Sequence, residues 1–359
     1  MIDPDCIVPP MTQTAVTIQA PTPAARGSLV PHLLIITVVW ATWAVLMEHG
    51  DRWQLFPEYW FMSVTMALGS FIAGATSEGG GAVAFPIMTL GFGMEPYVAR
   101  DFSLMIQSVG MVAAALVIIY MRTVVEWRAI LCAGLGGALG IIVGLEWIAP
   151  LLSASLTKVF FVSFWLGFGA ALYWINRDRA REVCTRITSF GPGSAVLLFV
   201  VGIAGGTVSA LTGSGLDIVT FAVLVLVFSL SEKVATFTSI VLMATNTLVG
   251  FAWRETMGGG VAADAWNYWW VCVPVVVVGA PFGARFIRDR SRHFVAGILY
   301  YSIIAQYAWA LVVIPQSPQL LLFNTLVVAS ATLFFWMLRR YGNRRASALQ
   351  TDRSASEVP

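Results

Sequence analysis

The segment FIAGATSEGGGAVAFPIM, residues 71–88, decides how this chain folds. Its flanks are apolar enough for helices in hydrocarbon, yet its middle, Ser77-Glu78-Gly79-Gly80-Gly81, carries a carboxylate and three consecutive glycines. Glycine adopts backbone conformations that a continuous helix excludes, so the run from Tyr59 to Gly93 reads as a hairpin of two half-helices that enter and leave on one side. A second stretch behaves alike: Thr212-Gly213-Ser214-Gly215 interrupts the apolar run from Ser194 to Leu230. Hydrocarbon penalises unpaired backbone groups, so both breaks belong inside protein or against a wet cavity.

The rest of the chain supplies the membrane setting. Charged residues make up 11% of it and hydrophobic ones 58%, with a mean hydropathy of +0.79, whereas soluble domains carry about a quarter charged residues. Uncharged runs long enough for a bilayer of about 30 Å include Leu29 to Met47, Phe102 to Met121, Ala129 to Leu145, Val159 to Ile175, Val234 to Trp253 and Ala265 to Ala284. The longest, Phe294 to Leu338, is divided by Pro315-Gln316-Ser317-Pro318. A net charge of +2 without a basic, aromatic-interleaved stripe excludes a nucleic-acid partner. Cys6, Cys132, Cys184 and Cys272 form no Cys-x-x-Cys pair, and His32, His49 and His293 are scattered, so neither a metal site nor a cofactor is expected.

Placing Gly79-Gly80-Gly81 over Gly213-Ser214-Gly215 brings Val98-Ala99-Arg100-Asp101-Phe102-Ser103 onto Val234-Ala235-Thr236-Phe237-Thr238-Ser239. Gly136-Gly137-Ala138-Leu139-Gly140 then falls on Gly279-Ala280-Pro281-Phe282-Gly283. The expected fold is all-α and polytopic: an inverted repeat of two units, each a broken hairpin plus three transmembrane helices, with one extra helix at each end. The units are residues 59–175 and 194–313, joined by a linker at 176–193. The extra helices lie at 29–47 and 318–338, and residues 1–28 and 339–359 are tails. Basic loops stay in the cytoplasm. Threading the spans with both termini inside leaves only Arg52, Arg100, Lys158 and Arg254 of the 21 basic residues outside. The expected location is the cell membrane, the inner membrane of a bacterium. The spacings Gly136-x-x-x-Gly140, Gly140-x-x-x-Gly144 and Gly279-x-x-x-Gly283 let helices approach closely, within the chain or in a homodimer.

These elements resemble the TauE/SafE sulfite-exporter family over about Tyr59 to Val313. The likeness is carried by Gly79-Gly80-Gly81 with Pro86, Ala99 and Ser103, by Gly213-Ser214-Gly215 with Ala235 and Ser239, and by the Gly-Ala-Pro-Phe-Gly-Ala-Arg run ending at Arg285. Thr220 stands in the second half where the first has Pro86, and Ser77 takes the place of the family's first glycine. The resemblance implies transport of a small anion, such as sulfite, an organosulfonate or a related sulfur compound.

Inverted repeats with broken helices point independently to a secondary carrier working by alternating access, with its site where the breaks meet. A returning half-helix beginning at Ala82 or Leu216 presents unpaired N–H groups and a positive dipole end to an anion. The candidate binding residues are Ser77, Gly79, Gly80, Gly81, Ser103, Gln107, Thr212, Gly213, Ser214, Gly215, Ser239 and Asn246. Each polar side chain among them equally suits a bond between neighbouring helices. Glu78 and Asp217 fall at the two hairpin tips, where ionisable groups mark ion or proton paths, so one of them is expected to couple proton movement to the anion. The plainer reading is that Glu78 caps the adjacent half-helix, or that Asp217 pairs with a basic side chain. Asp101 with Arg100 and Glu95 reads as an interfacial charge cluster. The competing functions are a membrane channel and a membrane-embedded enzyme. The enzyme would need a catalytic constellation at bilayer depth, and no histidine is placed to serve it.

Overall fold

Hydrocarbon offers a backbone no hydrogen bonds, so a chain this apolar satisfies its own as helix. The computed structural model describes residues 6–7, 30–76, 79–177, 183–288, 290 and 292–356, and these are helical apart from loops and one short strand pairing. β1 (Cys6–Ile7) lies antiparallel to β2 (Val183–Cys184), with Cys6 opposite Cys184. Cys184 is disulfide-bonded, a state its isolated position in the sequence did not suggest, whereas Cys132 and Cys272 are free thiols.

The first half runs through α2 (Leu55–Ala75), α3 (Gly81–Pro86), α4 (Pro96–Tyr120), α5 (Trp127–Val143) and α6 (Ala154–Arg177). The second runs through α7 (Pro192–Thr212), α8 (Leu216–Leu226), α9 (Glu232–Thr256), α10 (Ala263–Arg288) and α11 (Arg292–Val313). α1 (Val30–His49) precedes them and α12 (Pro318–Ser356) follows. Eight helices among the described residues are long and apolar enough to cross a membrane. Rows of large apolar side chains stay exposed, such as Leu131, Leu135 and Leu139 of α5 and Leu322, Leu326 and Leu333 of α12, as surface turned to lipid requires.

Three boundaries differ from the sequence expectation. α4 starts at Pro96 rather than near Phe102, because the charges that seemed to exclude its first turns are buried and paired with each other. Pro96 also suits a first helical position, where no N–H is needed. α7 has 21 residues, a full crossing by length, whereas α8 has 11. α12 continues as helix to Ser356, well past the apolar stretch that ends near Leu338, since no proline interrupts it after Pro318.

Both breaks produce hairpins that close on themselves. Phe61, near the start of α2, meets Phe92, just after the π-helical turn Ile87–Gly91 that follows α3, with ring centroids 4.7 Å apart. In the second half Arg345 of α12 bonds Ser194 at the start of α7 and lies over the Phe228 ring beyond the end of α8. Each hairpin is then gripped by a helix of the other half: α10 packs along α2, and α5 along α7. Glycine makes this closeness feasible. A Cβ on Gly74 would strike the Ala280 carbonyl and one on Gly206 the Gly137 carbonyl. The Gly136/Gly140 and Gly279/Gly283 stripes are buried in these contacts inside the chain. α4 and α9, each 25 residues long, lie against one another at the centre.

Candidate functional site

The second break is built by its own residues. Gly213 ends α7 in the left-handed region at φ 80°, and its N–H donates to the Ser209 carbonyl, 2.7 Å. Gly215 has φ 149°, a conformation disfavoured for any side chain. Between them Ser214 is fully buried, and Thr212 Oγ1 donates to the Ser214 carbonyl, 2.7 Å, and to the Val208 carbonyl, 3.2 Å. Thr212 therefore braces the break rather than presenting a free hydroxyl.

The start of α8 is not open to an anion as the sequence suggested. Asp217, with no exposed surface, turns its carboxylate back so that Oδ1 accepts from the N–H groups of Gly215 and Ile218, both 3.0 Å. The Leu216 N–H donates to Ser209 Oγ, 3.0 Å. Ser209 was missed in the sequence because it lies a full seven residues before its partner, and only the reversal at Gly213 brings it back. The helix end keeps its electrostatic preference for negative charge, and an anionic side chain of this chain already satisfies it.

The first break brings glycine up against this capped end. Gly79 also has positive φ, 71°, and a Cβ there would collide with Asp217 Oδ2, Ser214 Oγ and Gln107 Oε1. A Cβ on Gly81 would lie 2.9 Å from Ser214 Cβ and 3.0 Å from Gln107 Nε2. Gln107, from α4, ties the group together: its Nε2 donates to the Gly213 carbonyl, 2.7 Å, and to the Ser103 carbonyl, 3.0 Å. Those bonds fix the amide so that Oε1 faces Gly79, and Oε1 has no hydrogen-bond partner. Ser103 abuts Gly213, and its Oγ is likewise buried and unpartnered.

Gly79, Gly81, Ser103, Gln107, Gly213, Ser214, Gly215 and Asp217 thus meet at one buried place, and Gly80 stands beside the Gln107 side chain. Asn246 of α9 lies apart, against Gly137 of α5 and close to Leu216, with both amide atoms buried and unpartnered. Ser239 is buried and donates to the Thr236 carbonyl of its own helix, 2.9 Å. Ser77 and Glu78 lie outside the described residues. Buried polar atoms are nearly always hydrogen-bonded, and each one left unpaired costs about 1–3 kcal/mol. The oxygens of Ser103 and Gln107 are unpaired beside the two helix breaks, and those of Asn246 and Thr220 are unpaired elsewhere in the interior. Among the described residues no group of three His, Cys, Asp or Glu could hold a metal ion.

The family model described as Sulfite exporter TauE/SafE matches residues 61–307, from the first turns of α2 into α11. No curated protein and no solved structure matches the chain.

Proposed function

Because the chain belongs to the TauE/SafE sulfite exporter family, whose members are membrane transporters rather than enzymes, we propose that it is a secondary carrier of a small sulfur-containing anion, sulfite or an organosulfonate. The solute binds where the two breaks meet. The observation that carries this reading is the convergence of Gly79 and Gly81 from one hairpin with Ser214 and Asp217 from the other, beside the unpaired Gln107 Oε1.

The two hairpins point in opposite directions in this reading. Leu211, at the tip of the second, lines a cavity with Glu95 and Pro96, at the exit of the first, which supports an inverted arrangement. The central helix α4 touches both breaks through Gln107 and Ser103 and packs along α9, and alternating access is the rocking of one half against the other about that contact. Both termini face the cytoplasm.

Asp217 couples the cycle. While its carboxylate caps Gly215 and Ile218, an arriving anion meets a like charge and occupied N–H groups. Adding a proton to Oδ2 removes the repulsion and supplies a donor toward Gln107 Oε1, so proton and anion load together. Glu78, at the tip of the first hairpin, is the second candidate for this role.

Counterflow of radiolabelled sulfite in vesicles tests the carrier. Unlabelled sulfite on the far side should accelerate entry of label, because exchange needs only the loaded form to reorient. An entry rate indifferent to far-side sulfite would mean a channel and would remove the alternating-access reading.

A further inference from the structure

Outside the breaks, one strongly charged group in the protein interior is left unused by the mechanism above. Asp101 of α4 is fully buried and faces two guanidinium groups. Its Oδ1 accepts from Arg100 Nε, 3.0 Å, and Nη2, 2.8 Å; its Oδ2 accepts from Arg254 Nη2, 3.1 Å, and from the Ala262 N–H, 3.3 Å. Arg254 also donates to the carbonyls of Gly258 and Gly260, which fixes the loop between α9 and α10. Two cations share one carboxylate, so the group carries one surplus positive charge. Arg254 directs both terminal nitrogens to the loop and to Asp101, with its Nε buried and unpartnered. Arg100 does not: its Nη1 makes no hydrogen bond among the described residues.

Arg100 is only 8% exposed, yet it lines a cavity of about 100 Å³. The other walls are the start of α4 at Glu95 and Pro96, the start of α6 at Thr157 and the end of α7 at Leu211. A water molecule takes about 30 Å³, so the space admits a solute of roughly three waters' size. That is room for a small oxyanion beside the guanidinium. Glu95 at the rim is exposed to solvent, where its charge is screened. Charges buried in membrane proteins are costly and mark ion paths.

The cavity connects to the breaks along one face of α4. Arg100, Ser103 and Gln107 are spaced three and four residues apart, which stacks them on a single helix face. All three are buried, and Ser103 Oγ and Gln107 Oε1 are unpartnered. The Arg100 carbonyl is 2.9 Å from the Cβ position of Gly213. The cationic cavity therefore stands one helical turn from the second break.

We infer that this cavity is a recruitment site for a small divalent or monovalent oxyanion, bound by the Arg100 guanidinium before it passes along Ser103 and Gln107 to the breaks. The inference rests on the carrier reading and adds to it an entry site: the unbonded Nη1 of a buried guanidinium as a charged donor for a compact oxyanion.

The test is the concentration dependence of radiolabelled sulfite uptake into vesicles by the wild-type chain, Arg100→Gln, Arg100→Lys and Glu95→Gln, with thermal unfolding of each purified protein. Arg100→Gln should raise KM about tenfold with kcat little changed, and Arg100→Lys should recover most of that loss. Glu95→Gln should lower KM about twofold at low ionic strength and not at high salt. A residue that only anchors Asp101 would move stability and kcat, not KM, and would give Glu95→Gln no effect. If Arg100→Gln fails to fold, Glu95→Gln decides: an unchanged KM in that variant at low ionic strength would overturn the site. Wild-type uptake that never saturates would instead count against the carrier itself.

Discussion

The two helix breaks align in sequence but differ in chemistry. The second is polar and self-sufficient: two glycines in unusual conformations flank Ser214, and Asp217 and Ser209 cap the helix that follows. α8 then runs as a regular helix of 11 residues. The first has one described glycine at positive φ, and α3 lasts six residues, ending at Pro86 before a π-helical turn. Its contribution at the meeting point is space, since Gly79 and Gly81 lack the side chains that would displace Gln107, Ser214 and Asp217. Among the described residues, the second break holds the hydrogen-bonding side chains of the junction. The connections after the central helices are treated more evenly. Thr238 of α9 accepts the Glu126 N–H ahead of α5, 3.0 Å, and Asp101 of α4 accepts the Ala262 N–H ahead of α10, 3.3 Å.

The harshest test of this contrast fills the space. Gly79→Leu adds a branched side chain where Asp217, Ser214 and Gln107 already crowd the Cβ position, at a φ of 71°. Sulfite flux should fall to background. Gly93→Ala is the matched control, because its φ is 68° and nothing lies within 4 Å of its Cβ. It should cost about 1 kcal/mol of stability and leave flux intact. Equal damage from both would mean that backbone strain, not the meeting of the breaks, governs transport.

Next in size is the unequal role of the two carboxylates. Asp217→Asn keeps the shape but weakens the cap on Gly215 and Ile218, for a loss of about 1 kcal/mol, and should abolish the response of sulfite flux to a pH gradient. Glu78→Gln should leave most of that response in place. The reverse outcome, read from the same vesicle assay, would transfer coupling to the first hairpin and undo the asymmetry.

Much of this architecture was legible in the residues. Runs of apolar sequence and two glycine clusters fix helices and breaks because hydrocarbon leaves so few alternatives. Gln107 and Ser103 were identifiable as polar residues within an apolar span, and both reach the second break. Asn246 and Ser239 looked equivalent to them, yet Asn246 lies against Gly137 and Ser239 donates to a carbonyl of its own helix. The plainer reading of Asp217 was a pair with a basic side chain; it caps α8 instead, in a geometry that depends on a reversal at Gly213 that spacing alone does not give. Arg100 was read as interfacial because charge near a span end usually is; its burial comes from Asp101 and Arg254, which are 153 residues apart.

A smaller effect probes the paired connections. Burial pushes the Glu126 carboxyl up, but the Arg128 guanidinium and the Ile187 N–H hold it on balance below its usual 4.5. A carboxylate whose folded value is depressed adds stability above its unfolded value, and that stability drains away as pH falls through the folded one. Glu126→Gln should therefore melt lower than wild type at pH 7, and the gap should close on acidification below 4.5. A gap that persists at low pH would assign the loss to packing rather than charge.

The smallest effect is the most informative about the glycine triplet. Gly80 sits at φ −68° and ψ −28°, ordinary helical values, and a Cβ there would meet Gln107 Cγ at 3.4 Å and Ala73 Cβ at 3.6 Å. Nothing in this conformation or around it calls for glycine, whereas Gly79 has a positive φ and Gly81 needs the space beside Ser214 and Gln107. Gly80→Ala should preserve flux and raise stability by about 0.5 kcal/mol, because alanine restricts the unfolded chain. If it instead stops transport while the protein remains folded, Gly80 must leave the helical region during the cycle, and the first break would be the hinge that the second break's rigid, capped geometry lacks.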